Sequence, residues 1–251
     1  MAVWRILVNA LIMALELAAI AGLAWIGYAY PVPFAIATAL VTLALGLVLE
    51  PARLAFELPF YFGGAAPGRR LWVPLVGVFE AAVKAVLAGL VALLTFAGTD
   101  RGRVAWVAIA LAATLWVGAS LLRVLSLRLG AAPARWGYFR LAVLLGLVFS
   151  LALAILTEAG AISQPTLGEL GRQIIFETPA KPGIEQVSEL LFQVKLYIDG
   201  VIVALLSTLM PADWARLVGI VVSVNVLTGF VAAVYALLIA TVVLRLEDLN
   251  G

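Results

Sequence analysis

The sequence predicts an all-α membrane protein, a polytopic helical bundle of six transmembrane helices with a re-entrant hairpin between the fifth and the sixth. Three observations predict this fold class. The 251 residues are 65% hydrophobic and 12% charged, whereas soluble domains are about half apolar and about one quarter charged. The mean hydropathy is +1.16. Short clusters of glycine and proline divide the apolar sequence into runs that approach or exceed the length of a membrane span.

Each predicted span is an apolar run near the roughly 20 residues that a helix needs to cross a bilayer core. The clusters between them, 63–68 and 130–133 among others, end helices because glycine permits positive φ and proline lacks a backbone donor. We assign residues 1–130 to a four-helix peripheral region and residues 131–251 to a second region that contains an external acidic loop. The six spans are predicted at 3–29, 33–49, 71–97, 104–127, 138–157 and 217–244.

The first span is predicted to be a retained helix rather than a cleaved signal peptide. Glu16 interrupts its apolar run, and no small-x-small cleavage site precedes Pro31. The basic residues lie mainly in the segments that would be cytoplasmic if the N-terminus is cytoplasmic. Six of the seven tryptophans lie at predicted span ends, where their amphipathic rings are favoured. We therefore predict a multi-pass protein of the plasma (inner) membrane with both termini cytoplasmic.

The absence of cysteine and histidine restricts the chemistry of the chain. Thiolate and imidazole metal ligands, Ser/His/Asp triads and Cys/His nucleophiles are all excluded. We predict no catalytic residues, no bound metal, no cofactor and no enzymatic activity. The basic residues are distributed over several loops, which suits membrane orientation better than nucleic-acid binding.

Ionisable residues within predicted spans are costly to bury, so each one is a candidate functional residue. Glu80 and Lys84 are four residues apart in the third span, in the order that favours pairing along one helix face. We predict an intramembrane ion pair between them. Glu16, in the first span, is either a buried polar contact to another helix or a carboxylate that carries a proton or an ion.

Polar residues also occur in the sixth span. Asn225, Thr228 and Gly229 are separated by three and four residues, which places them on one face of a continuous helix. Such a face is consistent with two environments, a water-filled path or polar contacts with neighbouring helices.

The segment before the sixth span is the least regular part of the sequence. An amphipathic run, 192–200, precedes an apolar run of nine residues, 201–209. Nine residues are too few to cross a bilayer, so the predicted structure is a re-entrant hairpin. Alternatively, residues 187–210 form a seventh span that includes Lys195 and Asp199, which would place the C-terminus outside.

The C-terminal fifth resembles the pore module of the two-transmembrane potassium-channel-like family. The resemblance rests on Leu196-Tyr197, the apolar segment after it, Pro211, the run Asp213 to Leu217, and the long helix that ends at 236–243. In that family a pore helix and filter precede a short linker and an inner helix. The resemblance implies a pore-like module at 131–251, and a homotetramer around a shared pore.

The filter position departs from the family pattern. Potassium filters use a Thr-Val-Gly-Tyr-Gly type of loop, whereas residues 204–210 contain no glycine. The resemblance therefore implies a pore for small ions with a degenerate filter that is not selective for potassium. Its constriction would be formed by Ser207, Thr208, Leu209 and Met210. Asn225, Thr228 and Gly229 would line the pore below, and Lys195 and Asp199 would support the pore helix.

Two other classes of function are compatible with the sequence. The protein could be a non-conducting accessory or scaffold subunit of a membrane complex, with membrane lipids and a complex partner as its contacts. It could also be a carrier of lipid or small solute that uses Glu16 and Glu80, although the two halves show no convincing repeat.

Overall fold

The computed structural model describes residues 2–62, 69–98, 100–162 and 184–249, and within these residues the chain forms helices and no strand. Eight α-helices and one short 3₁₀ turn are described. In chain order they are α1 (Ala2–Ala29), α2 (Pro31–Phe62), α3 (Arg69–Thr95), α4 (Arg101–Leu129), α5 (Pro133–Glu158), α6 (Ile184–Leu209), α7 (Ala212–Val222), the 3₁₀ turn (Val224–Leu227) and α8 (Thr228–Asp248).

Six segments of the described chain are long and apolar enough to cross a membrane, which confirms the predicted class of helical membrane bundle. The sixth consists of α7, the 3₁₀ turn and α8, spanning Asp213–Asp248. The second was predicted to end at residue 49, but its apolar segment continues to Leu58. The hydropathy pattern stops at Glu50, whereas the helix continues because Glu50 and Arg53 are paired within the protein.

Local sequence signals account for the ends of α4 and α5. Asp100 caps α4, and its Oδ1 accepts a hydrogen bond of 2.9 Å from the backbone N–H of Gly102. Gly130 ends the helix in the left-handed conformation, with φ of 63°. Pro133 then begins α5, where its fixed φ suits the first helical turn. The short turn makes α4 and α5 antiparallel neighbours.

Helix α8 lies at the centre of the bundle and packs against α1, α3, α4 and α5. The side chains from Val231 to Leu237 are all buried. Tyr235 stacks on Phe34 of α2, with ring centroids 5.4 Å apart, and its hydroxyl lies 2.8 Å from Thr38 Oγ1. Helix α8, from the second predicted region, therefore shares its core with helices of the first region.

Glycine permits the closest helix approach in the bundle, between α5 and α8. A Cβ at Gly229 would collide with the carbonyl oxygen of Ala142 and with the backbone of Gly146. Gly146 in turn faces the backbone of Val226. Small residues at such crossings let the backbones touch, which is the main source of packing energy between helices in lipid.

The Gly229→Ala substitution is expected to lower the free energy of unfolding by about 1–3 kcal/mol, because the added methyl group meets backbone that cannot move aside. Unfolding in mixed micelles, followed by circular dichroism, measures the change. Gly22→Ala is the matched control, since a Cβ at Gly22 has no neighbour within 4 Å. Equal effects of the two substitutions would contradict the close α5–α8 contact.

Candidate functional site: two ionic clusters and a helical hairpin

The closest-packed hairpin, α2 with α3, brings five charged side chains together. A Cβ at Gly46 would lie 2.7 Å from Ala81 Cβ, and one at Gly77 would lie 2.8 Å from Pro51 Cγ. The missing side chains let the two helices approach closely. We call the charged group the α2–α3 cluster, and it consists of Glu50, Arg53, Glu57, Glu80 and Lys84.

Two of the four ion pairs described in the α2–α3 cluster run between the helices. Lys84 binds Glu50, and Arg53 binds Glu80. Arg53 also lies 3.2 Å from Glu50 and 3.4 Å from Glu57 on its own helix. The predicted pair between Glu80 and Lys84 is therefore replaced by one partner each from α2. The sequence spacing could not reveal this, because it contains no information about which face of α2 meets α3.

Two aromatic residues of α5 cover one side of the α2–α3 cluster. Lys84 Nζ lies 5.3 Å from the ring centroid of Tyr138 and 5.4 Å from that of Phe139. The guanidinium carbon of Arg53 is 5.3 Å from the Phe139 centroid. Such cation–π contacts contribute about 0.5–2 kcal/mol each. These contacts partly replace the hydration that Lys84 and Arg53 lose on the side away from the carboxylates.

Glu50 is the most deeply buried member of the cluster, with a side chain that is 0% exposed. Its Oε1 accepts the hydrogen bond from Lys84. Its Oε2 makes no hydrogen bond among the described residues, and its 3.2 Å separation from Arg53 Nη2 is an ionic contact. The inner four residues carry two negative and two positive charges, and Glu57 lies at the exposed edge. The buried part of the cluster is therefore balanced in charge.

A second cluster, the Arg123 triad, joins α1, α4 and α8 through Glu16, Arg123 and Glu247. Arg123 Nη1 donates a hydrogen bond of 2.9 Å to Glu16 Oε2, and Arg123 Nη2 donates to Glu247. Glu16 thus makes a buried polar contact to another helix, one of the two interpretations of the sequence. In the sequence Arg123 is one of the basic residues on the predicted cytoplasmic side, where the charge bias marks only orientation, although a buried carboxylate such as Glu16 calls for a cationic partner.

The predicted re-entrant segment forms a helical hairpin of α6 and α7, joined by a turn at Met210 and Pro211. We call residues 184–222 the α6–α7 hairpin. Its first arm is a single helix of 26 residues, and it includes both the amphipathic run and the nine-residue apolar run. In α6 the charged residue Lys195 is buried, whereas Val201, Leu205 and Leu209 are exposed. An apolar outer face with a charged inner face suits contact with lipid.

Asp199 of α6 accepts hydrogen bonds from the residues that follow α7 in the sixth span. Its Oδ2 accepts a hydrogen bond of 3.0 Å from Ser223 Oγ, and its Oδ1 accepts one of 2.9 Å from the backbone N–H of Val224. Ser223 has a ψ of 142°, so the helix breaks there. Asp199 thereby satisfies a backbone donor that the break exposes. Asp199 was predicted to support a pore helix, and the hydrogen bonds it accepts here come from the break in the sixth span instead.

The four residues predicted to form a constriction lie at the tip of the hairpin. Ser207, Thr208 and Leu209 are exposed, and Met210 is half-buried in the turn. The hydroxyl groups of Ser207 and Thr208 donate hydrogen bonds of 2.7 Å to backbone oxygens of their own helix, on Ala204 and Leu205. Their backbone is helical, so it does not present a row of carbonyl oxygens to an ion.

The residues predicted to line a pore make helix contacts instead. Thr228 is buried, and its Oγ1 lies 2.9 Å from Thr95 Oγ1 of α3. Gly229 packs on the backbone of α5. Asn225 lies in the 3₁₀ turn and donates a hydrogen bond of 2.9 Å from its side chain to Ser223. The prediction assumed an α-helix through these residues, whereas Asn225 lies in a 3₁₀ turn and its side chain bonds to Ser223, and Thr228 and Gly229 contact α3 and α5.

Lys195 lies on α6, outside the six candidate spans. Burial lowers the pKa of its ammonium group from the ordinary value of 10.5 to about 8, and nearby Arg103 acts in the same direction while Asp199 opposes it. Lys195 is thus part of the buried face of the hairpin, and its contact with Asp199 is electrostatic.

The chemistry available to these groups is ion pairing and hydrogen bonding. Within the described residues, no group of three or more acidic side chains is arranged to hold a metal ion. Comparison of the chain with protein families, with curated proteins and with solved structures gives no match. The function is therefore argued from the geometry of the chain itself.

Replacing Lys84 by methionine is expected to lower the free energy of unfolding by up to about 3–5 kcal/mol, because Glu50 then loses a cation at a fully buried site. The double variant Lys84→Met/Glu50→Gln removes the uncompensated charge and should recover much of the loss. Unfolding in mixed micelles measures both, with Arg101→Met at an exposed position as the control. A double variant no more stable than Lys84→Met would contradict this pairing.

The Asp199→Ala substitution is expected to loosen the break between α7 and α8, because it leaves the Val224 N–H and the Ser223 hydroxyl without an acceptor. A lost buried partner costs about 1–3 kcal/mol, so amide hydrogen exchange in residues 218–228 should accelerate by roughly tenfold or more. Asp213→Ala, at an exposed position of the same hairpin, is the control. Unchanged exchange in Asp199→Ala would refute the role given to Asp199.

Proposed function

We propose that the protein is a non-conducting accessory or scaffold subunit of a membrane complex. One observation carries this proposal, the enclosure of α8 by helices of its own chain. Val231, Ala232, Ala233 and Val234 are each at most 1% exposed. The buried stretch of α8, residues 231–237, is available neither to a central pore nor to a second copy of the chain.

The enclosure of α8 argues against the arrangement that the channel resemblance implies. In that arrangement the last helix of each subunit faces a pore shared by four copies. Here the corresponding helix packs against α1, α3, α4 and α5, and its polar residue Thr228 is bonded to Thr95. A shared pore lined by α8 would require the bundle to open.

The pairing of the intramembrane charges also supports a structural role. Carriers that move protons or ions use carboxylates that change partners during transport. Glu50 and Glu80 each have a cation from the facing helix, and Glu16 has Arg123. These contacts tie α2 to α3, and α1 to α4 and α8, so their main effect is to fix the arrangement of the bundle.

A channel-like pore remains the second candidate, and one observation favours it. The hydroxyl-bearing residues Ser207 and Thr208 are exposed at the tip of the α6–α7 hairpin. Several copies of the chain that met at this tip could form a constriction from Ser207 to Met210. In the accessory proposal the same exposed tip contacts lipid or the complex partner. Both proposals place the chain in the plasma (inner) membrane with cytoplasmic termini.

The two proposals differ in the expected protein mass of the detergent-solubilised particle. We expect a single chain of 26.5 kDa by light scattering corrected for bound detergent, and no ion flux after reconstitution into vesicles, because α8 is occupied within one chain. A conducting channel of known activity, reconstituted in parallel, is the control for vesicle tightness and detection.

The opposite result would be a fourfold particle that conducts ions. If the Ser207→Ala/Thr208→Ala variant then reduced the current while the particle mass stayed the same, the constriction would be supported and the accessory proposal abandoned. A fourfold particle without current would leave the scaffold proposal in place with the chain as its own partner.

A further inference from the structure

Four arginines surround one end of the bundle. Arg128 lies in the last turn of α4, Arg135 and Arg140 in the first turns of α5, and Arg245 in the last turn of α8. The turn between α4 and α5 brings the first three together. Helix α8 is antiparallel to α5, since Gly137 contacts Leu237 and Gly146 contacts Gly229. This arrangement places Arg245 at the same end. We call these four residues the arginine rim.

The charges of the arginine rim are not compensated within the described residues. All four side chains are exposed, and none makes an ion pair or hydrogen bond with another described residue. By contrast, Arg53, Arg123 and Arg216 each bind a carboxylate. Near Arg245 the acidic groups are Glu247, which is bonded to Arg123, and the exposed Asp248. The carboxylates of the α2–α3 cluster lie beside Tyr138 and Phe139 of α5, and they are paired with Arg53 and Lys84.

The surroundings of the rim are apolar and open to lipid. Leu127 and Leu129 are 68% and 73% exposed, and both flank Arg128. Trp136 is 43% exposed and lies next to Arg135 in the sequence, and tryptophan rings favour the bilayer interface. In addition, α5 begins at Pro133 and its N-cap residue Ala132 makes no side-chain hydrogen bond, so the positive end of this helix lies beside Arg135, whereas the negative ends of α4 and α8 lie beside Arg128 and Arg245.

We propose that the arginine rim binds the phosphate groups of anionic phospholipids, with the acyl chains against the adjoining leucines. Guanidinium groups match phosphate oxygens in geometry and charge. Each basic residue close to an anionic membrane surface contributes about 1 kcal/mol. The bilayer is the occupant that the structure favours, because the unpaired charges and the exposed apolar surface adjoin at the end of three membrane-spanning helices. This inference rests on membrane insertion and is independent of whether the protein conducts.

Lipid selectivity measured by electron spin resonance tests the proposal. The full chain is reconstituted into phosphatidylcholine vesicles, and the motionally restricted fraction is compared for spin-labelled phosphatidylglycerol and spin-labelled phosphatidylcholine. We expect a preference for phosphatidylglycerol of up to about fivefold for each arginine that contacts a head group. High salt should weaken the preference, since exposed charges are screened over about 10 Å at 0.1 M salt.

Two variants of the arginine rim and one control variant test whether the rim causes the preference for phosphatidylglycerol. Replacing all four arginines by glutamine should abolish the preference, and replacing them by lysine should retain most of it. The control, Arg101→Gln/Arg216→Gln, removes exposed arginines at the other end of the bundle and should leave the preference unchanged. Circular dichroism verifies that each variant is folded.

Three results would overturn the proposal. They are equal association of the two lipids with the wild-type protein, a glutamine variant that keeps the preference, and an equal loss in the control. If the glutamine variant does not fold, the salt dependence of the wild-type protein decides the question. A preference for phosphatidylglycerol that is insensitive to salt would exclude binding by a rim of exposed charges. The lysine variant then provides the second folded comparison.

Discussion

A carboxylate inside a bilayer needs a partner within the protein, and in this bundle the partner comes from another helix. Glu50 pairs with Lys84 across the α2–α3 interface, and Glu16 pairs with Arg123 across the α1–α4 interface. Pairing does not make a buried charge strongly stabilising, because desolvation offsets most of the attraction. It makes other arrangements costly, since each leaves an unpaired charge in lipid. The ionic clusters therefore specify which helices meet.

The backbone follows the same rule at the break between α7 and α8. Lipid offers no hydrogen bonds, so irregular backbone within a span must find its partners in the protein. Asp199 supplies an acceptor for the N–H of Val224, and Ser223 supplies one for Asn225. A charged residue from α6 thus permits α8 to begin in a new direction, close against α5. The dense α5–α8 contact at Gly146 and Gly229 depends on this reorientation.

The sequence predicts the helical class and the number of spans because both depend on apolar length, a property that local composition carries. The ends of α4 and α5 are also readable, from Asp100, Gly130 and Pro133. The ionic partners cannot be predicted from the sequence, because the helix face that meets a neighbour depends on packing. The Glu80–Lys84 spacing suggests a pair within α3, whereas the close α2–α3 contact gives both residues partners on α2. The break at Ser223 is equally hidden, since the side chain that accepts its hydrogen bonds is Asp199, 24 residues away.

The central position of α8 has a consequence for the order of assembly. Thr38 and Tyr235 are separated by 197 residues, which take about 10–40 s to synthesise at typical rates. Until α8 is made, Thr38 and Thr95 bond only to their own helices, and Arg123 lacks Glu247. The cleft that α8 fills is then open to lipid or to other helices. Newly made protein must therefore persist as an incomplete bundle, a state in which a membrane chaperone or a partner subunit could recognise it.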